Sequence, residues 1–60
     1  MNWRELNKNL NMLREDEVLA LLEAERQGAR RVTFLERLHQ RYTMLRAARE
    51  RVELLKEAVR

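Results

Sequence analysis

The sequence predicts an all-α protein in which a single domain, residues 1–60, folds as an antiparallel helical hairpin. The chain has no Pro and one Gly, which disfavours turn-rich β-sandwiches and barrels. Its apolar residues recur at steps of three and four, the spacing of one helical face. Signals for helix ends cluster in one short segment. We therefore expect a first helix over about 2–27, a loop over 28–32 and a second helix over about 33–59.

The first helix is predicted to begin at Asn2, because Glu5 follows three residues later as in a capping box. Apolar residues then recur in 3-4-3 spacing from Trp3 to Leu13. Strong helix formers continue the segment, and Gly28 stands where a C-terminal cap is expected. These signals favour one continuous helix.

A break near Arg14 is the open alternative. The sequence Arg-Glu-Asp-Glu over 14–17 is typical of the acidic first turn of a new helix. Four Asn among the first eleven residues also lower helix propensity there. Since neither Pro nor Gly interrupts this segment, a continuous helix is favoured, and three helices remain the alternative.

The second helix has its own start signal. Thr33 is followed by Glu36 three residues later, so a capping box predicts a helix that begins near Phe34. It can run unbroken to about Val59, a length of about 39 Å at 1.5 Å per residue.

The apolar positions of the two helices predict how they pair. The seam positions of the first helix have the same spacing as those of the second helix taken in reverse order, which places Trp3 beside Leu55. The two series are 3, 6, 10, 13, 17, 20, 24 and 55, 52, 48, 45, 41, 38, 34. The two charged positions in this seam, Glu17 and Arg41, then lie opposite each other. Because a lone charge in a seam carries a desolvation penalty, we predict that these two residues pair and fix the alignment.

Apolar residues outside this seam predict a dimer. A two-helix seam buries little surface compared with the cost of ordering the chain, about 1.5 kcal/mol per residue. A homodimer in which two hairpins form a four-helix bundle supplies the missing burial. The predicted dimer interface consists of Val18, Leu19, Leu22, Leu35, Tyr42 and Met44.

The charges are unevenly distributed along the chain. Residues 1–25 carry three basic and six acidic side chains, a net charge of −3, whereas residues 26–60 carry ten basic and four acidic ones, a net charge of +6. The two halves can attract each other as antiparallel neighbours, or the basic half can bind nucleic acid or an acidic protein. Eleven of the thirteen basic residues are Arg, a bias that a GC-rich genome also produces.

Candidate catalytic and metal-binding residues are few, and we expect no enzyme activity, no metal and no cofactor. The chain has no Cys and no Ser, so the commonest nucleophiles are missing. Glu36 and His39 have the Glu-x-x-His spacing of metal sites in helical bundles. Both lie about 140–160° from the apolar stripe of the second helix and are therefore predicted to face solvent.

Basic and apolar residues coincide at the loop end of the second helix, as they do in protein interfaces. We therefore expect a self-associating module that binds another protein, with a small RNA- or DNA-binding dimer that uses the Arg-rich second helix as the alternative. The absence of a signal-peptide core, of a transmembrane run and of Cys predicts a cytoplasmic location and no membrane partner. The predicted partner-binding residues are Arg30, Arg31, Leu35, Arg37 and Tyr42.

The stretch from Glu17 to Leu55, in which Arg30-Arg31 precedes Thr-Phe-Leu-Glu-Arg-Leu-His at 33–39, resembles uncharacterised small phage-type helical proteins. This resemblance implies an accessory protein that acts on a host or phage partner. In length and layout the predicted hairpin is also similar to small plasmid-encoded RNA-binding proteins that dimerise as helical hairpins.

Overall fold

The computed structural model describes residues 1–59 and shows an all-α chain of three helices, which confirms the predicted fold class. A single first helix over 2–27 is wrong, because residues 11–14 separate two helices, as in the three-helix alternative. The helices are α1, Trp3–Leu10; α2, Glu15–Gln27; and α3, Val32–Ala58.

The break between α1 and α2 is held by local hydrogen bonds. After α1 ends at Leu10, the Met12 N–H donates to the Asn9 carbonyl at 2.9 Å, which closes a tight turn. Arg14 is extended, and its N–H donates to Oε1 of Glu17 at 2.9 Å. This is the back-bond that the third helical residue makes in a capping box. The acidic segment therefore starts a new helix, where carboxylates also complement the positive end of the helix dipole.

The other helix ends follow the sequence signals in part. Asn2 caps α1, with its Oδ1 accepting the Glu5 N–H at 2.8 Å, as predicted. Gly28 ends α2, also as predicted. However, α3 begins at Val32, so Thr33 lies in the first turn of α3 and does not cap it.

The three helices share one small apolar core. α2 and α3 run antiparallel, since Glu15 near the start of α2 lies beside Arg49, and Glu25 near its end lies beside Arg31. α1 adds two buried side chains to the layer between them. The core residues are Leu6, Leu10, Val18, Leu22, Phe34 and Leu38.

The predicted seam is not the one observed. The Trp3 ring lies 5.6 Å from the Phe34 ring in an edge-on contact, at the loop end of α3 and far along the helix from Leu55. In α2 the buried apolar positions are Val18 and Leu22, whereas the predicted seam used positions 17, 20 and 24. A shift of one residue rotates a helix face by about 100°. The turn at 11–14 thus gives α1 and α2 independent faces, which a single continuous helix cannot have.

The predicted pair of Glu17 and Arg41 is consequently not formed. The carboxylate of Glu17 binds the Arg14 N–H and lies 3.4 Å from Arg14 Nε. Within residues 1–59, Arg41 Nε is buried and has no hydrogen-bond partner. Glu17 therefore serves the start of α2, and the alignment of α2 with α3 depends on other contacts.

The C-terminal half of α3 extends beyond the bundle. α3 has 27 residues and α2 has 13, which correspond to about 40 Å and about 20 Å of helix. The structure measures 46 × 22 × 15 Å, and every residue from Arg46 to Val59 is exposed. No helix among residues 1–59 combines the length and the apolar character needed to cross a membrane.

A double-mutant cycle distinguishes the observed alignment from the predicted one. We expect Glu17→Ala to lower the free energy of unfolding by about 1 kcal/mol, because the N-terminal cap of α2 loses its carboxylate. We expect Arg41→Met to be neutral or stabilising, because an unpartnered buried donor costs about 1–3 kcal/mol. Chemical denaturation should show that the two effects add to within about 0.5 kcal/mol. A coupling energy well above that value would restore the predicted pair.

Candidate functional site

The loop between α2 and α3 is held by an ion pair whose carboxylate is buried. Glu25 is buried, and both of its carboxylate oxygens accept hydrogen bonds from Arg31. Arg31 donates through its backbone N–H at 2.8 Å, through Nε at 3.1 Å and through Nη2 at 2.8 Å. The side-chain hydrogen bonds from Arg31, followed by the backbone one, lower the pKa of the Glu25 carboxyl from its ordinary 4.5 to about 2.

Arg31 also connects the loop to the start of the chain. Its guanidinium carbon lies 3.5 Å above the centre of the Phe34 ring, a cation–π contact. Its Nη1 donates to the Met1 carbonyl at 3.2 Å, and the edge of Trp3 covers the same Phe34 ring. The Arg31 side chain, which the sequence predicted to bind a partner, therefore makes four contacts within its own chain: two with Glu25, one with Met1 and one with Phe34.

The other predicted partner-binding residues differ in exposure and in their contacts. Arg30 is exposed in the left-handed region, with φ of 53°, and its Nε donates to a carbonyl of α2 at 3.1 Å. Arg37 Nε donates to Oδ1 of Asn7 in α1 at 3.0 Å. Leu35 and Tyr42 are half-buried against the core. Arg37 and the two apolar residues thus support the three-helix packing.

The predicted dimer interface is divided in the same way. Val18 and Leu22 are buried inside the chain, so they are not available to a second copy. Their apolar character, which had no partner in the predicted seam, is explained by the core of the single chain. Leu19, Leu35 and Tyr42 are half-buried, and Met44 is exposed.

An apolar surface that the sequence analysis did not identify lies on the exposed half of α3. We call it the distal face, and define it as Ala48, Val52, Leu55 and Val59. It continues the stripe that begins in the core at Phe34. Val52, Leu55 and Val59 are 52%, 62% and 85% exposed. The predicted hairpin covered this stripe with the first helix, and the turn at 11–14 removes that cover.

Basic side chains flank the distal face on both sides. At 100° per residue, Arg51 lies on one side, and Lys56 and Arg49 lie on the other. Arg49 binds Glu15 of α2 at 2.8 Å and Glu53 at 3.2 Å. Arg51 and Lys56 have no carboxylate within 4.0 Å among the described residues. We refer to Arg49, Arg51 and Lys56 as the basic border.

A second apolar surface lies between α1 and α2. It is a groove with a volume of about 520 Å³, within the range of binding pockets, about 300–1,000 Å³. Its side chains are mostly apolar and include two exposed Met residues, which adapt readily to different partners. The groove is lined by Met1, Asn9, Met12, Leu13, Glu17, Ala20 and Leu21.

Another cleft is lined by Trp3 and by four polar or charged residues of α3. It has a volume of about 400 Å³ and lies between Trp3 and the residues 33–40 of α3. Glu36 and His39 are both exposed, as predicted. Across residues 1–59, no group of three or more His, Cys, Asp or Glu side chains is placed to hold a metal ion.

Comparison with known proteins gives no relative, because no family model, curated protein or solved structure matches the chain. The two apolar surfaces and the charges beside them are therefore the features from which a function can be inferred.

The ion pair of Glu25 and Arg31 predicts how stability depends on pH. Since folding lowers the pKa of Glu25, the ionised carboxylate stabilises the folded state fully above pH 4.5, and this contribution is lost as the pH falls toward about 2. We expect Glu25→Gln to be less stable than the wild type at neutral pH. The difference in melting temperature, measured by circular dichroism, should shrink as the pH is lowered from 4.5. A difference that does not change with pH would contradict this role of the ion pair.

Proposed function

We propose that the chain is a non-enzymatic helical interaction module, which self-associates and binds another protein through the distal face of α3. The observation that carries this proposal is a regular apolar stripe without a partner on a helix that extends beyond its own bundle. Single exposed apolar residues are normal on protein surfaces, whereas a stripe at the 3-4 spacing is typical of helix–helix packing. Val52, Leu55 and Val59 on this face are each more than half exposed.

The free energy released when the distal face is covered favours association. Full burial of a Val or Leu side chain contributes about 1.5–3 kcal/mol, and three such side chains lie more than half exposed on this face. Their helix is already formed by α3, so little backbone entropy is lost when a partner binds. The exposed fractions add up to about two full side chains, so their burial contributes about 3–6 kcal/mol, and a micromolar complex, which corresponds to about 8 kcal/mol, needs further contacts beside the distal face.

Binding of RNA or DNA is the alternative, and the net charge of +6 over residues 26–60 favours it. Several of these basic side chains are already occupied. Arg31 binds Glu25, Arg46 lies 3.3 Å from Glu50, and Arg49 binds two carboxylates. Ion pairs of this kind reduce the number of phosphates that α3 can neutralise, and this weighs in favour of the protein partner.

The resemblance to phage-type proteins suggests a setting for this module. An accessory factor that acts by contact with a host or phage protein requires a binding surface and no catalytic residues. The distal face supplies such a surface.

Self-association is expected to depend on Leu55. Analytical ultracentrifugation of the wild-type chain at high micromolar concentration should detect a dimer. Leu55→Glu should weaken this dimer by more than about tenfold, because a charge then takes the place of buried apolar surface. Both chains should have the same helical content, since Leu55 contributes nothing to the core.

The matched control is His39→Glu, which adds the same side chain to an exposed position of α3 outside the distal face. It should leave the dimer unchanged. A wild-type chain that sediments as a folded monomer, or equal losses in Leu55→Glu and His39→Glu, would contradict the proposed use of the distal face.

The alternative is tested by the salt dependence of nucleic-acid binding. Fluorescence anisotropy with a labelled duplex DNA and a labelled hairpin RNA should detect weak binding only. A tight complex whose affinity falls with salt, at a log–log slope of about −0.9 for each phosphate contacted on DNA, would favour the nucleic-acid function.

A further inference from the structure

The proposed self-association leaves open which surface of the second copy receives the distal face. Two α3 helices that pack through their distal faces would bring the two basic borders together. Such a pair would set Arg51 and Lys56 against the same residues of the other copy, and like charges across a helix seam disfavour pairing. The receiving surface should therefore be apolar and acidic.

The chain has one apolar surface of this kind in its groove. We infer that the distal face of one copy docks into the groove between α1 and α2 of a second copy. This inference rests on the proposed self-association and names the surface that completes it. Ala20 is small and exposed, so it lets a helix approach α2 closely, while Met1 and Met12 can adjust to the side chains that enter.

The charges beside the groove complement the basic border. Glu17 lines the groove, and Asp16 precedes it in the acidic first turn of α2. Both carboxylates lie near a single guanidinium, that of Arg14, at 3.4 Å and 3.6 Å. Since Glu15 is already bound by Arg49 of α3, the group of Arg14, Asp16 and Glu17 keeps a net charge of −1. This local excess of negative charge is what Arg51 and Lys56 would meet on docking.

The contact of α2 with α3 inside one chain already uses the same chemistry. There the apolar side chains of α2 cover the core half of the α3 stripe, and Glu15 binds Arg49 at 2.8 Å beside it. The docking that we infer repeats this arrangement between copies on the distal half of the same stripe. A groove with acidic residues on α2 is thus matched to the stripe in both polarity and charge.

The number of docking surfaces on each copy determines how the assembly closes. Each copy carries one distal face and one groove. When two copies exchange both contacts the assembly closes as a symmetric dimer, and it does not grow into a filament.

A complementation experiment tests this docking, because it requires two different surfaces. Leu55→Glu damages the distal face and keeps the groove, whereas Ala20→Arg fills the groove with a long basic side chain and keeps the distal face. Ala20 is exposed in a helix and Arg is a good helix former, so the fold should be retained. Circular dichroism checks the helical content of both variants.

Each variant alone should sediment as a monomer at concentrations where the wild type is a dimer. In an equal mixture, the intact distal face of Ala20→Arg can enter the intact groove of Leu55→Glu. We expect a heterodimer whose dissociation constant is at least about tenfold lower than that for self-association of either variant. Differently labelled chains followed by fluorescence energy transfer report this heterodimer directly.

The outcomes separate this inference from the proposed function. If the wild type dimerises and Leu55→Glu does not, but Ala20→Arg dimerises as the wild type does, the distal face is used and the groove is not. A mixture that associates no better than its components would also overturn the docking into the groove. A wild-type monomer would instead remove the proposed self-association, and the inference with it.

Discussion

The contact between Arg31 and the buried carboxylate of Glu25 determines where every other element lies. A buried carboxylate without partners is costly, so the bidentate bond and the backbone N–H of Arg31 fix the loop in one conformation. This conformation sets α2 antiparallel to α3. The same guanidinium covers Phe34 and reaches the carbonyl of Met1, so the start of α1 is placed by the residue that closes the loop.

The turn at 11–14 has two consequences that belong together. A continuous helix over 2–27 would be about 39 Å long and would cover almost all of α3. The turn sends α1 back toward the loop, where Leu6 and Leu10 complete a core that two helices alone would leave open. The same step removes the cover from the distal face. The N-terminal half of α3 is thus better buried, while the apolar stripe on its C-terminal half stays exposed. A second chain can cover this exposed stripe.

The sequence predicts the helical class and several helix ends, because those features depend on local chemistry. Asn2 with Glu5 and the single Gly at 28 are read directly from short spacings. The alignment of the helices depends instead on whether Glu17 pairs with Arg41 or caps the start of α2. In the sequence, the capping role is indicated only by the acidic residues at 15–17. The 3-4 spacing continues through the turn with a single charged position, Glu17, so periodicity alone could not reveal that α1 and α2 have different faces.

Periodicity did not predict the candidate site either, because it placed the first helix over the distal face. The distribution of charges relates this site to the fold. Once Val18 and Leu22 are assigned to the core, two apolar surfaces remain without cover, the groove and the distal face. The negative half of the chain borders the groove, and the positive half borders the distal face. Part of this charge asymmetry is used within the chain, in the contacts of Glu15 with Arg49 and of Glu25 with Arg31. The charges that are not paired within the chain lie beside the two uncovered surfaces, negative beside the groove and positive beside the distal face. Because opposite charges lower the cost of bringing two copies together, the same pattern that orients α2 on α3 also favours the docking of one chain on another.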